Sequence, residues 1–169
     1  MPGIIVGVDG SAHSQWALEW GMSEAAARHA PLTALAVHHR RAVSYAEEGL
    51  NLDQMVEEVQ TIVDQAVSHR SEPFVPVTVK VITGLPAAEL IGASCDADLL
   101  VVGSRGTGGL GRRGLGSVSS RVAYEARCPV VIIFQRSSAH LTARQAAAKR
   151  TDTRGVPALA TAPAAAAQP

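Results

Sequence analysis

The apolar residues of the first 136 positions fall into five short runs that alternate with longer amphipathic stretches. The runs contain few polar residues, which is typical of parallel strands covered on both faces. They predict strands over residues 4–8, 32–38, 75–82, 98–102 and 130–134. The stretches between them place apolar side chains at helical spacing and predict helices over residues 13–29, 45–69, 84–95 and 117–127.

Strict alternation of strand and helix predicts the α/β class, with an open five-stranded parallel sheet and helices on both faces. Right-handed crossovers favour the strand order 3-2-1-4-5. Strands 1 and 4 are then neighbours, and the loops that follow them diverge to leave a crevice, where open α/β sheets bind ligands. The two loops that meet at this crevice are residues 9–11 and 103–117.

Two of the predicted helices have a recognisable buried face. In the first helix this face is predicted from Trp16, Ala17, Trp20 and Ala27. In the second helix the apolar residues recur at intervals of three and four positions. They are Leu52, Met55, Val56, Val59, Ile62, Val63 and Ala66.

Composition limits the class of protein. The chain has 15 basic and 15 acidic residues, so it lacks the positive excess that nucleic-acid binders need, and no nucleic-acid partner is expected. Cys95 and Cys128 have no Cys-x-x-Cys spacing and are expected to be reduced thiols, which favours a cytoplasmic location. The apolar runs are far shorter than the ~20 residues that span a bilayer, so no membrane segment is expected.

The composition changes sharply after Arg136. Residues 137–169 contain twelve alanines and three prolines but almost no large apolar side chains. Such a segment cannot bury enough apolar surface to offset its conformational entropy. We therefore predict a single domain over residues 1–136 and a disordered Ala-rich tail over residues 137–169.

The loop over residues 103–117 holds seven of the fifteen glycines. Dense glycine lets successive backbone N–H groups converge on an anion, and the N-terminus of the fourth helix, with the Ser117 hydroxyl, adds to that site. Two other phosphate motifs do not fit. Residues 106–111 match Gly-x-Gly-x-x-Gly but follow strand 4 and do not open a helix, and residues 111–117 have no lysine before the serine, as a P-loop requires.

The spacing that does fit is Gly103-x-x-Gly106, nine residues, then Gly116-Ser117, followed by Val118-Ser119. The same chain has Val-Asp-Gly-Ser at residues 8–11, Gly-Leu-Pro at 84–86 and Cys-Pro-Val-Val at 128–131. This combination of motifs resembles the ATP-binding branch of the universal stress protein family. The resemblance covers nearly all of residues 1–136. It implies a Rossmann-like nucleotide-binding sandwich, commonly a homodimer that pairs its last strands.

The resemblance also implies roles for individual residues. Asp9 and the backbone around Val37 would lie near the adenosine half of ATP, and the ribose and phosphates would lie among Gly103, Gly106, Gly116 and Ser117. The full candidate set adds neighbours in the same motifs, namely Gly10, Ser11, Arg105, Val118 and Ser119.

Elementary chemistry supports two of these roles but leaves an alternative for each. Asp9 can accept a hydrogen bond from a ribose hydroxyl or reach a nucleotide-bound Mg²⁺, or it can instead help Ser11 to cap the first helix. Arg105 suits phosphate oxygens, although a solvated loop also carries arginines. No histidines occur at metal-ligand spacing, and no metal site formed by the protein itself is expected.

The resulting hypothesis is an ATP-binding regulatory module of the stress response, in which the nucleotide, with Mg²⁺, orders the loop and changes a surface that a partner recognises. No general base can be assigned, so turnover is not expected. Two alternatives stay open. One is a slow ATPase or phosphotransferase on the same loop, and the other is a nucleotide-free protein-interaction module. The apolar last strand also predicts a homodimer, because pairing two copies would cover an exposed sheet edge.

Overall fold

The computed structural model describes residues 3–39, 45–69, 76–107 and 114–134, and of residues 45–51 only the helical backbone. The predicted tail at 137–169 and the centre of the glycine-rich loop lie outside these residues. The strands are β1 (Ile4–Val8), β2 (Leu32–His39), β3 (Val77–Gly84), β4 (Leu99–Gly103) and β5 (Val130–Ile133). The helices are α1 (Ala12–Arg28), α2 (Tyr45–Ser68), α3 (Pro86–Ala93), a short 3-10 helix (Ser94–Asp96) and α4 (Ser117–Glu125).

All five strands are parallel, in the order β3-β2-β1-β4-β5, so the predicted fold class and strand order are confirmed. The largest shift from the predicted boundaries concerns β3, which begins at Val77 and continues to Gly84. It extends this far because it pairs with the whole of β2, from Leu32 opposite Val77 to His39 opposite Gly84. The carboxyl ends of β2 and β3 therefore reach the same edge of the sheet.

Each face of the sheet has its own core. On one face α1 and α2 cover β1, β2 and β4, with Leu18, Met22 and Val59 among the buried side chains. On the other face Leu90 of α3 and Val122 of α4 cover the opposite sides of β2 and β4. Among the described helices none combines the length and apolarity needed to cross a membrane.

The buried face of α1 differs from the predicted one. Ala17 is buried as expected, but Trp16 and Trp20 are only half-buried and Ala27 is exposed. The side chains that face the sheet are Ser14, Ala17, Leu18, Gly21, Met22 and Ala25. Ser14, Ala17, Gly21 and Ala25 are small, which lets α1 lie close to the strands, and Trp20 packs against this core while remaining half-buried.

The closest approach of α1 to the sheet is at Gly21. A Cβ atom at this position would lie 2.6 Å from Cγ2 of Val6, which is fully buried on β1. By contrast, a Cβ atom on Gly92 of α3 would have no neighbouring atom within 4 Å. The two helical glycines therefore differ in packing and not in secondary structure.

We expect Gly21→Ala to lower the free energy of unfolding by about 1–3 kcal/mol because the added methyl overpacks the α1–β1 contact. The matched variant Gly92→Ala should leave stability unchanged or raise it by up to about 1 kcal/mol, since alanine is the better helix former. Urea denaturation followed by circular dichroism measures both. Equal stabilities of the two variants would contradict the close packing at Gly21.

Candidate functional site

A pocket of about 480 Å³ opens at the carboxyl ends of β1 and β4, where the strand order reverses. This volume falls within the range of about 300–1,000 Å³ typical of small-molecule sites. Its walls come from β1, β2 and β4, from all four α-helices, and from the loops that follow β1 and β4. The pocket therefore occupies the crevice that the strand order predicts.

Nine of the eleven candidate residues line this one pocket. They are Asp9, Val37, Gly103, Arg105, Gly106, Gly116, Ser117, Val118 and Ser119. The other two, Gly10 and Ser11, are not part of its wall. Gly10 has φ +77°, a turn conformation that favours glycine, and Ser11 caps α1 by accepting a hydrogen bond from the Ser14 N–H at 3.2 Å.

The Asp9 carboxylate links the end of β1 to the loop after β4. Its Oδ1 accepts from the Ser11 N–H at 3.0 Å, and its Oδ2 accepts from the Thr107 N–H at 3.1 Å. The Ser11 hydroxyl adds a longer hydrogen bond to the Arg105 carbonyl at 3.4 Å. The carboxylate therefore supports the turn before α1, as the capping alternative expects, and it also holds the first part of the glycine-rich loop.

This contact explains why position 106 is a glycine. A Cβ atom on Gly106 would collide with Oδ2 of Asp9. Gly103 has a different constraint, since a Cβ atom there would lie 2.8 Å from the backbone carbon of His13, at the start of α1. Gly103 lines the pocket, but its lack of a side chain is also required for helix packing.

The N-terminus of α4 has no side-chain cap. Its N-cap residue is Gly116, and the first hydrogen bond along the helix is from the Ser120 N–H to the Gly116 carbonyl at 2.9 Å. The N–H groups of Ser117, Val118 and Ser119 precede that bond, and these residues line the pocket. Together with the helix dipole, they form a site suited to an anion.

Ser119 and Arg105 make hydrogen bonds to backbone carbonyl groups around this site. The Ser119 hydroxyl is buried and donates to the Ser104 carbonyl at 3.0 Å, and the Gly116 N–H donates to the same carbonyl at 2.8 Å. Arg105 is half-buried on the pocket wall, and its Nε donates to the Gly114 carbonyl at 3.4 Å. The end of β4 and the start of α4 are thus held together around the pocket.

The opposite end of the pocket is largely apolar. Leu35 and Val37 of β2, Met55 of α2, and Pro86 and Leu90 of α3 form this part of the wall. The sequence pattern predicts Met55 as a core residue, because helical spacing is the same in a core and in a pocket wall.

Three polar residues in the wall were also missed as site residues. Ser14, in the first turn of α1, is one of them. His39 stands at the carboxyl end of β2, a position that itself signals a site in a parallel sheet, and Thr107 lies within the glycine-rich loop. Asp9 is the sole carboxylate among the described lining residues. No group of three or more metal-binding side chains occurs in the part of the chain that the structure describes.

The fold and the pocket define an open parallel α/β protein whose topological switch point holds a helix terminus suited to an anion. The model of the universal stress protein family matches residues 2–133, and the chain belongs to that family. The family resemblance inferred from the sequence motifs is thereby confirmed.

Curated relatives and solved structures agree with this assignment. Universal stress protein Rv2005c of Mycobacterium tuberculosis is 37% identical over 135 residues, which are 78% of this chain and 45% of that protein. The chain thus spans about half the length of the curated relatives that it matches. Universal stress protein UspA from Lactobacillus plantarum has a TM-score of 0.66 at 25% identity, covering 78% of this chain and 97% of that one. A universal stress protein solved in complex with cAMP has a TM-score of 0.59 at 25% identity, covering 78% and 96%.

We expect Asp9→Ala to release the loop after β4, because it removes the acceptor of the Thr107 N–H. Amide hydrogen exchange at Thr107 should accelerate about five- to tenfold, which corresponds to the loss of one hydrogen bond of about 1 kcal/mol. The control Asp96→Ala removes an exposed carboxylate at the other end of β4 and should leave this amide unchanged. Unaltered exchange of Thr107 in Asp9→Ala would show that Asp9 does not hold the loop.

Proposed function

We propose that this universal stress protein binds ATP, together with Mg²⁺, in the pocket at the carboxyl ends of β1 and β4, and acts as a regulatory module in the stress response. The observation that carries the proposal is the uncapped N-terminus of α4, which opens onto a pocket whose far wall is apolar. An anionic phosphate chain matches the first feature, and a purine base matches the second.

The residues of the pocket fit this ligand. The N–H groups of residues 117–119 would bind phosphate oxygens, with the Ser117 hydroxyl and Arg105 beside them. Val37 and Met55 would contact the base. Asp9 is the carboxylate available to a nucleotide-bound Mg²⁺ among the described lining residues, so the metal would arrive with the nucleotide.

A cyclic nucleotide is the second candidate ligand, because a relative at 25% identity was solved in complex with cAMP. Both ligands share an adenosine group and a phosphate. They differ in phosphate count, and each additional phosphate of ATP can accept further N–H hydrogen bonds at the α4 terminus. We therefore expect affinity to decrease from ATP to ADP to AMP.

We propose binding without turnover as the activity of this pocket. Asp9 is the sole carboxylate among the described lining residues, and we assign it to the nucleotide-bound Mg²⁺, so no second carboxylate of the described wall is left to activate a water molecule. Phosphate release measured with and without the protein tests the point. A steady release of phosphate that is lost in Ser117→Pro would favour the ATPase alternative.

A homodimer through β5 is also part of the proposal. β5 is at the edge of the described sheet, its four residues are half-buried, and Phe134 beside it is 58% exposed. Pairing with a second copy would cover this edge.

The two cysteines are free thiols, which supports the proposed cytoplasmic location.

We expect Ser117→Pro to weaken ATP binding about ten- to a hundredfold, because proline removes one N–H donor to a charged phosphate. Proline is compatible with the first position of a helix, and Gly116 before it already has the extended conformation that proline requires (φ −71°, ψ 167°). The control Ser117→Ala keeps the N–H and should bind more tightly than the proline variant. Isothermal titration calorimetry with ATP and MgCl2 measures all three proteins.

Circular dichroism should be the same for the three proteins, since the helix is preserved. If Ser117→Pro and the unmodified chain bind ATP with equal affinity, the N-terminus of α4 is not the phosphate site. If the unmodified chain binds cAMP and not ATP, the second candidate ligand replaces the first. If it binds neither, the nucleotide-free interaction module is favoured.

The dimer prediction uses the direction of the β5 backbone groups. The Ile133 and Pro129 carbonyls accept hydrogen bonds from Ser104 and Leu100, so residues 129, 131 and 133 face β4, and Ile132 directs its N–H to the open edge. We expect Ile132→Pro to give a folded monomer in analytical ultracentrifugation, while Ile132→Ala, which keeps the N–H, remains dimeric. A dimeric Ile132→Pro would exclude pairing through β5.

A further inference from the structure

The fold brings the segments that carry the two cysteines of the chain to the end of the sheet opposite the pocket. Cys95 is exposed on the 3-10 helix that precedes β4, and Cys128 is half-buried immediately before β5. They are 33 positions apart in the sequence, and β4 and β5 are adjacent parallel strands. The segments before these strands therefore meet at the amino-terminal edge of the sheet.

Hydrogen bonds hold these two segments together. The Arg127 N–H donates to the Ser94 hydroxyl at 2.8 Å, which joins the residues immediately before Cys128 and Cys95. Ser94 is 1% exposed, and its hydroxyl also donates to the Ile91 carbonyl at 2.6 Å. On the other side of Cys128, the Leu100 N–H donates to the Pro129 carbonyl at 3.0 Å.

The electrostatic surroundings of Cys128 agree with this proximity. Burial raises the pKa of its thiol most, hydrogen bonds with the backbone of Leu100 and Cys128 oppose that rise, and Asp98 and Cys95 raise the pKa by smaller amounts. Cys128 therefore stays a protonated thiol at neutral pH. Cys95 is the accessible sulfur of the two.

We propose that Cys95 and Cys128 are a peroxide-reactive pair, in which the exposed Cys95 is oxidised first and Cys128 resolves it as an internal disulfide. In the first step the Cys95 thiolate attacks the peroxide O–O bond and forms a sulfenic acid, while the other oxygen leaves as water after taking a proton. In the second step Cys128 gives up its thiol proton as it attacks the Cys95 sulfur, the S–S bond forms and the S–O bond breaks, and the leaving hydroxide takes that proton and departs as a second water. The peroxide is reduced, and the two thiols are oxidised.

The disulfide would join the segment after α3 to the turn after α4. These two helices cover the same face of the sheet, and their N-terminal ends line the pocket. The spacing of the cysteines gave no signal of this pair, because the sequence lacks a Cys-x-x-Cys motif and the contact arises through the pairing of β4 with β5. This inference does not depend on nucleotide binding.

The test is oxidation of the full chain with hydrogen peroxide at low protein concentration, followed by thiol counting and a non-reducing peptide map. We expect both thiols to be lost together, with a monomer lighter by two hydrogen atoms and a cross-linked peptide pair containing Cys95 and Cys128. This readout uses the unmodified chain, so it does not require any variant to fold.

Two single variants separate the roles of the sulfurs. Cys128→Ser should accumulate a Cys95 sulfenic acid that dimedone traps, and Cys95→Ser should lose its remaining thiol at least about tenfold more slowly. A disulfide-linked dimer as the main product of the unmodified chain would overturn the proposal. So would cysteines that end as sulfinic acids without a cross-link, or a Cys95→Ser variant oxidised as fast as the unmodified chain.

Discussion

Pairing of β1 with β4 in the middle of the sheet brings Asp9 within hydrogen-bonding distance of the loop that follows β4. The carboxylate accepts from Ser11 on its own side and from Thr107 on the other, so one side chain joins the starts of two loops. Both loops contribute residues to the pocket wall. A sheet in which another strand separated β1 from β4 would have neither this contact nor the pocket.

The glycines around the pocket are required for different physical reasons. Gly103 allows α1 to approach the end of β4, Gly106 leaves room for Asp9, and Gly116 begins α4 without a side chain over its N–H groups. Of the three, Gly116 is the one at the helix terminus suited to an anion. Glycines in a loop of this kind are therefore needed where neighbouring helices and side chains pack closely, as well as where a ligand would approach the backbone.

The two ends of the sheet carry different chemistry on the same helices. At the carboxyl end of the strands, the starts of α3 and α4 contribute Pro86 and Ser117 to the pocket wall. At the amino end, the segments that follow these helices contain Cys95 and Cys128. Parallel strands produce this arrangement, since every strand begins at one edge and ends at the other.

Local patterns in the sequence were sufficient for the architecture. Uniform apolar runs predict strands buried on both faces, and the handedness of crossovers restricts the order of those strands. The dense glycines, followed by Gly116-Ser117, predict which part of the pocket is suited to an anion. Contacts between distant positions were decided only by the tertiary structure. Strand register, and which helix faces the sheet, decide four such features. They are the hydrogen bond from the Thr107 N–H to Asp9, the apolar wall with Met55, the close fit of Gly103 on α1, and the meeting of the segments that carry Cys95 and Cys128. The local spacing of apolar residues predicts neither the strand register nor the helix face, because a buried position has the same pattern whether it faces a core, a pocket or another segment.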